Sequence, residues 1–373
     1  MSSASFVPPA YPYERLNAIR AMAENHEGGA IDCSVGTPCD PPLAAVVAAL
    51  AGSGAERGYP TSAGSPILRE AISDWFLRRF AVSVSRDDVA ACVGTKEFVA
   101  STAGFMALRE PGRDVVLFPD ISYPTYEMGA ILAGLRPVRV PLVKGRLMLE
   151  AIDPEDAARA VMVWSNSPSN PTGYLDDLSA VASWGRAHDV PVFSDECYCE
   201  FTWSRAPETM LSHGLDGVVA VHSLSKRSNL AGLRVGFYAG DPSIVNYLRS
   251  VRQHAGLMVP GPAQAAGAVA LNDDAHVEQQ RSRYMNRLSR LVDALTLAGF
   301  PCELPEGGFY LWIEVPSQFD DAFAAAAFLA EISGLVVSPG EFYGPSASRY
   351  LRVAVVQPDD RIALAATRLT AAN

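Results

Sequence analysis

Short uninterrupted apolar runs alternate along most of the chain with longer segments in which apolar residues return at helical spacing. The runs are "DVAACV" (88–93), "DVVLF" (114–118), "AVMVW" (160–164), "VPVFS" (190–194), "VVAVHS" (218–223) and "RVGFYAG" (234–240). They lack the polar residue at every second position that a half-exposed strand carries, which predicts strands buried on both faces of a mostly parallel sheet. The helical spacing predicts helices over 65–80, 96–108, 124–133, 176–188, 242–254 and 273–298. Strands that alternate with helices make an α/β sheet covered on both sides, and ligands of such sheets gather at the carboxyl ends of the strands.

The pattern changes near 274. Beyond the long helix, which stops at Gly299, two short strands, "FYLWIEV" and "YLRVAVV", are set among helices and read as an α+β unit. The expected division is a large domain over 41–273 and a smaller one made of 1–40 with 274–373. Pro8, Pro9 and Pro12 predict an extended arm at the start.

Composition narrows the function. With 49% hydrophobic and 19% charged residues, the chain is rich enough in apolar side chains for a sizeable core. Its 41 acidic against 30 basic residues, net charge -11, disfavour nucleic acid and anionic membranes, whose phosphates each call for a cation. Small molecules are the expected partners. No apolar run reaches the length of a membrane span, and the start lacks a basic segment followed by an apolar core, so the expected location is the cytoplasm. Six cysteines without paired spacing and six histidines without ligand spacing predict no metal.

Candidate chemistry clusters at the predicted strand ends. In "SLSKRSNLAGLRVGF", Lys226 follows a buried strand directly and is either an exposed cation or an amine able to form an imine with an aldehyde. Ser223 and Ser225 add hydroxyls, and Arg234 adds a two-pronged fork, a set suited to phosphate. Asp195 opens "DECY" at the end of another strand. A buried carboxylate needs a positive partner, and a protonated pyridine nitrogen is one, with Tyr198 in reach of a ring oxygen. In "NSPSNPTG" (166–173), Pro168 and Pro171 make a rigid turn that can hold the Asn170 amide, and either preceding bond can be cis. "VGTKEF" (93–98) is a glycine turn that opens a helix at Thr95 and Lys96, where free N–H groups suit an anion. "FPDISYPTY" (118–126) supplies Tyr123, an aromatic face for a flat ring. Taken singly, each has an ordinary alternative: a surface lysine, a helix cap, a loop or a core aromatic.

Taken in order, GTKE, YP, NSPSNPTG, DECY and SLSKRSNLAGLRVG resemble the fold type I pyridoxal-phosphate aminotransferases of class I/II, over essentially the whole chain. The resemblance implies a large domain with a mostly parallel seven-stranded sheet sandwiched by helices, plus a smaller α+β domain. It implies pyridoxal 5′-phosphate as cofactor, bound as an imine to Lys226, which also shuttles a proton. Asp195 would meet the ring nitrogen, Tyr198 and Asn170 the phenolic oxygen, and Tyr123 the ring face. Thr95, Lys96, Ser223, Ser225 and Arg234 would form the phosphate cup. Tyr59, in "RGYPTSAGSPILREAI", matches the tyrosine that the family sends into a neighbouring subunit, which implies a homodimer. Arg352, in "YLRVAVV", matches the arginine that clamps the substrate α-carboxylate, with the Gly36 backbone completing that pocket.

A narrower resemblance also runs nearly end to end. "SVGTPCDPP", "GYPTSAGSPILREA", "VHSLSKRSNLAGLRVGFYAGD", "VRQHAGLMVPGPAQAA" and "GEFYGPSASRYLRVAV" resemble the actinobacterial N-succinyldiaminopimelate aminotransferases of lysine and diaminopimelate biosynthesis. It implies transfer from N-succinyl-L,L-2,6-diaminopimelate to 2-oxoglutarate, giving N-succinyl-2-amino-6-oxopimelate and glutamate. A substrate with three carboxylates calls for cations beyond Arg352, and Arg227 and Lys96 are the candidates. The alternative for Arg227 is a place in solvent or on the cofactor phosphate. The same fold also serves aminotransferases of other amino acids and C–S β-lyases, whereas a cofactor-binding regulator would need an appended basic domain, for which length and charge leave no room.

Overall fold

The computed structural model describes residues 6–9 and 12–371. Its centre is a sheet of seven strands: β1 (Val89–Cys92), β2 (Val115–Pro119), β3 (Arg136–Val140), β4 (Ala160–Asn166), β5 (Val192–Asp195), β6 (Val218–Ser223) and β7 (Gly236–Gly240). Their spatial order is β1, β7, β6, β5, β4, β2, β3. Neighbours are parallel except at β7, which runs antiparallel to both β1 and β6. β3 is not among the strands expected from the apolar runs. Its "RPVRV" mixes charge with apolar residues because at this edge only Val140 is fully buried, so it never acquires the two-sided burial that such runs report, whereas β1 at the opposite edge does.

Successive side chains of the inner strands enter opposite layers. Val218, Ala220 and Phe237 pack with Trp75 and Phe76 on one face, while Val219, Val221 and Tyr238 pack with Phe98 and Trp164 on the other. The covering helices are α1 (Pro66–Phe80), α2 (Thr95–Arg109), α3 (Thr125–Leu132), α4 (Leu178–Ala187), the single turn α5 (Leu224–Arg227), α6 (Pro242–His254) and α7 (Gly261–Leu271). α1 begins where the Ser65 hydroxyl accepts from the Leu68 amide at 3.3 Å, with Pro66 at its first position. α7 escapes a periodicity reading. Its "GPAQAAGAVAL" is small and apolar nearly all round because the helix is buried, and Gly267 lets it lie directly on Leu224 and Val235.

A further apolar cluster gathers α8 (Ala275–Leu297), β8 (Tyr310–Glu314), α9 (Ala322–Ser333), the valines that lead into β9 (Ser338–Pro339), β10 (Tyr350–Ala354) and α10 (Asp359–Ala371). β10 is the middle strand of an antiparallel sheet, between β8 and β9. The start of the chain packs here as well: Leu16, Ile19 and Ile31 join the same cluster, and Ile31–Asp32 runs parallel to Leu335–Val336. The proline-rich start is not extended throughout, since Pro12, with its fixed φ, opens a 3-10 turn that runs to Leu16. Among the described residues no helix is long and apolar enough to cross a membrane, and no group of His, Cys, Asp and Glu is arranged to hold a metal ion.

Candidate active site

Register brings the strand ends level. Asn166 of β4 pairs with Asp195 of β5, Asp195 pairs with Val221 of β6, and Ser223 pairs with Gly236 of β7. Residues leaving β4, β5 and β6 therefore emerge side by side, and a cavity of about 450 Å³ opens there. Thr95, Lys96, Tyr123, Asn170, Asp195 and Tyr198 line it, as do Ser223, Ser225, Lys226 and Arg234 from the SLSKRSNLAGLR stretch. Gly36 and Arg352 close it from the other side.

Lys226 stands on α5, directly after β6, where the Ser223 hydroxyl accepts from the Ser225 amide at 3.1 Å and starts the turn. Its ammonium Nζ donates to the Gly36 carbonyl. Burial lowers its pKa to about 8, with Arg352 and Arg234 pushing the same way against Cys197 and Asp195. A neutral amine is thus within reach of physiological pH.

Asp195 is buried, and its hydrogen bonds come from neutral donors: the Tyr126 hydroxyl to Oδ2 at 2.8 Å and the Cys197 amide to Oδ1 at 3.2 Å. Burial outweighs both and raises its pKa, as in a carboxylate whose hydrogen-bond donors carry no charge.

Beside the cavity, Gly94 with φ +72° turns β1 into α2, whose first residue is Thr95. Arg234 adopts a left-handed φ of 55°, which costs a non-glycine residue about 1 kcal/mol or more. Its Nη1 donates to the Ala231 carbonyl at 2.9 Å, and its fork lies so close to Gly94 that a β-carbon there would collide with it. A glycine is required for the guanidinium to lie against the start of the helix.

Arg352 reaches the cavity from β10. Its Nη1 donates to Asn170 Oδ1 at 2.7 Å, and its Nη2 donates to the Ser34 carbonyl at 2.6 Å and to the Tyr13 hydroxyl at 3.4 Å. The guanidinium carbon sits 4.3 Å from the Tyr310 ring centroid and 4.7 Å from that of Tyr343. Burial works against its charge, but Tyr343, Tyr13 and Tyr310 outweigh that and hold its pKa above the usual arginine value. Its Nε is buried without a hydrogen-bond partner. Asn170 is fixed in turn by its backbone N–H, which donates to Asn166 Oδ1 at 2.8 Å, and both Ser167–Pro168 and Asn170–Pro171 are cis. The Tyr198 hydroxyl lies 2.9 Å from that of Tyr310.

Two of the residues singled out in the sequence lie outside this cavity, one of them, Tyr59, assigned there to a neighbouring subunit's site. Tyr59 is 99% exposed on its own chain. Arg227 is 4% exposed and neither faces solvent nor reaches the cavity. Consecutive helical residues point about 100° apart, so a turn that aims Lys226 at the cavity sends Arg227 inward, where Glu200 and Asp274 pair with it. Conversely, Tyr126, Cys197, Tyr13 and Tyr310 line the cavity and were not singled out by sequence reasoning. Tyr126 and Cys197 stand inside "FPDISYPTY" and "DECY", so their proximity was readable. Tyr13 and Tyr310 arrive from distant segments and carry no local signal.

Comparison with known proteins gives a consistent result. The profile of the family described as aminotransferase class I and II matches residues 29–369. A probable aminotransferase of Mycobacterium tuberculosis is 42% identical, over 97% of this chain and 85% of its own length. A 4-dedimethylamino-4-oxo-anhydrotetracycline transaminase of Streptomyces rimosus is 41% identical, over 97% of this chain and 99% of its own length. Among solved structures, a probable N-succinyldiaminopimelate aminotransferase of Thermus thermophilus superposes with a TM-score of 0.86 at 28% identity, over 97% of this chain and all of that one. The chain belongs to the class I and II aminotransferases, pyridoxal-phosphate-dependent enzymes that act on amino and oxo acids.

Proposed function

We propose that this aminotransferase moves the amino group of N-succinyl-L,L-2,6-diaminopimelate to 2-oxoglutarate, giving N-succinyl-2-amino-6-oxopimelate and glutamate. The observation that carries the reading is the convergence of Lys226, Asp195, Arg234 and Arg352 on one cavity. The substrate assignment is supported by the likeness to the Thermus thermophilus protein and by the sequence motifs.

The residues present fit pyridoxal 5′-phosphate. Asp195, buried and bonded to neutral donors only, suits a protonated ring nitrogen. Thr95, Lys96, Ser223, Ser225 and Arg234 form a donor set for a phosphate at the start of α2. Asn170 and Tyr198 would hold the phenolic oxygen, and Tyr123 would cover the ring. When bound, the cofactor supplies an aldehyde for Lys226 and an electron-poor ring that takes up the electron pair left when the substrate α-proton departs.

The chain's own residues do the rest. Lys226 Nζ, whose pKa burial lowers to about 8, would accept the α-proton and pass it to the carbon that was the cofactor's aldehyde, so that the α-carbon can leave as an oxo acid. Arg352 holds the α-carboxylate, its unpartnered Nε offering a further donor, and fixes which bond of the α-carbon faces the ring. The Gly36 backbone shapes the same pocket. Of the cations proposed for the distal carboxylates, Lys96 lines the cavity and stays in that role, and Arg227 leaves it. Tyr59, almost wholly exposed, is proposed to enter the cavity of a second copy, so the working form is a homodimer and sedimentation should give twice the chain mass. The expected compartment is the cytoplasm.

A second reading is favoured by a specific observation. With Arg227 withdrawn, the residues that line the cavity include Tyr13, Val35 and Tyr310, apolar surface suited to an oxo substrate with a large neutral ring system, and the Streptomyces rimosus relative is named for one. One half-reaction assay decides between them. N-succinyl-L,L-diaminopimelate and glutamate should each bleach the visible absorbance of the Lys226–cofactor imine. If neither does so, while pyridoxamine-form enzyme turns over a polycyclic ketone, the first reading is wrong.

A further inference from the structure

Arg227 stands next to Lys226, takes no part in the chemistry proposed above, and yet is bound through every nitrogen of its guanidinium. Nε pairs with Glu200, Nη1 donates to the Ala270 carbonyl at 2.6 Å and to the Ser228 hydroxyl at 3.1 Å, and Nη2 donates to the Asp273 carbonyl at 3.3 Å and to Asp274 Oδ1 at 3.2 Å. These partners come from separate parts of the chain. Glu200 follows Asp195 and Tyr198 around the turn that leaves β5, and its other oxygen pairs with Arg79 of α1 at 2.8 Å. Ala270 belongs to the last turn of α7, and Asp273 and Asp274 precede α8.

A helix of a single turn has almost no backbone hydrogen bonding of its own. α5 closes with the Ser228 amide on the Leu224 carbonyl at 3.1 Å, its first amide donates to the Val235 carbonyl at 3.2 Å, and the rest of its orientation comes from side chains. Leu224 is sunk in the apolar layer with α7, Lys226 projects into the cavity, and Arg227 bolts the turn from behind. Truncating it would leave Glu200 buried beside Arg79, and the turn would lose a buried charged anchor.

We infer that Arg227 is a positioning residue: held by Glu200 and the 270–274 connection, it fixes the angle at which α5 presents Lys226 to the substrate α-carbon. The inference rests on Lys226 being the reactive amine. Because Arg227 does not reach the cavity, it governs how fast Lys226 moves a proton and leaves substrate affinity alone.

The test uses full-length holoenzyme carrying Arg227→Ala, Arg227→Lys, Glu200→Gln or Lys226→Ala. A displacement of the amine by about 1 Å is expected to lower kcat roughly 100-fold in Arg227→Ala, with KM for the amino donor unchanged. The same variant should shift the pH at which the visible imine absorbance titrates. Arg227→Lys, which keeps the charge but loses the fork, should recover part of both changes, and Glu200→Gln should shift the titration in the same direction. If Arg227→Ala does not fold, the other two variants carry the comparison. Parental kcat and parental titration in the Arg227 and Glu200 variants overturn the inference. So does a rise in KM at constant kcat, or a loss that follows melting temperature with Arg227→Lys no better than Arg227→Ala. Lys226→Ala separates the two levels: imine absorbance that survives there defeats the assignment of the amine itself, whereas its disappearance alongside unshifted Arg227 variants defeats the positioning role alone.

Discussion

Arg352 Nη1 donates to Asn170 Oδ1 at 2.7 Å, across 182 residues of sequence. The bond joins the C-terminal antiparallel sheet to the cis-proline turn after β4, so the proposed carboxylate clamp and the proposed ring-oxygen donor are held as one unit. Replacing Arg352 by Lys keeps the charge and removes the fork. The expected cost is about 3 kcal/mol, or roughly 100-fold in kcat/KM for amino acid substrates. Steady-state kinetics on an amino acid and on the matching amine without its carboxylate should show the preference for the former collapse. A preserved ratio would place the clamp elsewhere.

Tyr126 and Asp195 make a second prediction. The Tyr126 hydroxyl is one of two neutral donors to a carboxylate whose pKa burial already raises, so Tyr126→Phe should raise that pKa further. Losing a hydrogen bond to a charged group costs about 1.5 kcal/mol, roughly tenfold in kcat. Asp195→Asn, which removes the charge outright, should cost more. Equilibrium dialysis should report weaker cofactor retention in the same order.

The burial of Lys226 predicts a pH profile for cofactor uptake. A lysine attacks an aldehyde only when neutral, and here the pKa is lowered from 10.5 to about 8. The rate at which cofactor-free protein takes up pyridoxal phosphate should therefore rise with pH up to about 8 and then level. Above that pH the native state binds fewer protons than the unfolded chain, so this group should make the cofactor-free protein more stable as pH rises from about 8 toward 10.5. A rate that climbs steadily to 10.5 would contradict the burial argument.

Gly94 predicts the behaviour of the anion site. An alanine there would meet a φ of +72° and the Arg234 guanidinium together. Gly94→Ala should lose at least about 1 kcal/mol through backbone strain and push the fork off the helix start. Weaker binding of inorganic phosphate and of the cofactor, with the α-carboxylate preference intact, is the expected result. Unchanged phosphate affinity would mean that Arg234 does not need that place.

Much of the cavity could be read in the sequence because its parts sit in short stretches that leave neighbouring strands. Lys226 with Ser223 and Ser225, Asp195 with Tyr198, and Thr95 with Lys96 each need only a strand end and a turn to come together, and strand ends are visible as the limits of apolar runs. Tyr310 and Tyr13 were not readable in that way. Nothing local marks a tyrosine in "FYLWIEV" or in a proline-rich start as a neighbour of Arg352. They are brought there because the first and last parts of the chain share one apolar cluster. β3 was hidden for a related reason, since an edge strand needs no continuous apolar run.

What the sequence determined by itself is the kind of molecule and the kind of chemistry: a helix-covered, largely parallel sheet whose strand ends carry an amine, a carboxylate and the residues proposed as an anion cup. These follow from periodicity and from motifs whose residues are covalent neighbours. What only the tertiary structure decided is direction and company. Lys226 and Arg227 are adjacent in sequence, but one turn of helix aims the first at the cavity and the second into an ion-paired interior with Glu200 and Asp274. The separation depends on the rotation of a four-residue helix, and that rotation is set by Glu200 and by the stretch from Ala270 to Asp274, partners far along the chain. No reading of "SLSKRSNLAG" in isolation contains it.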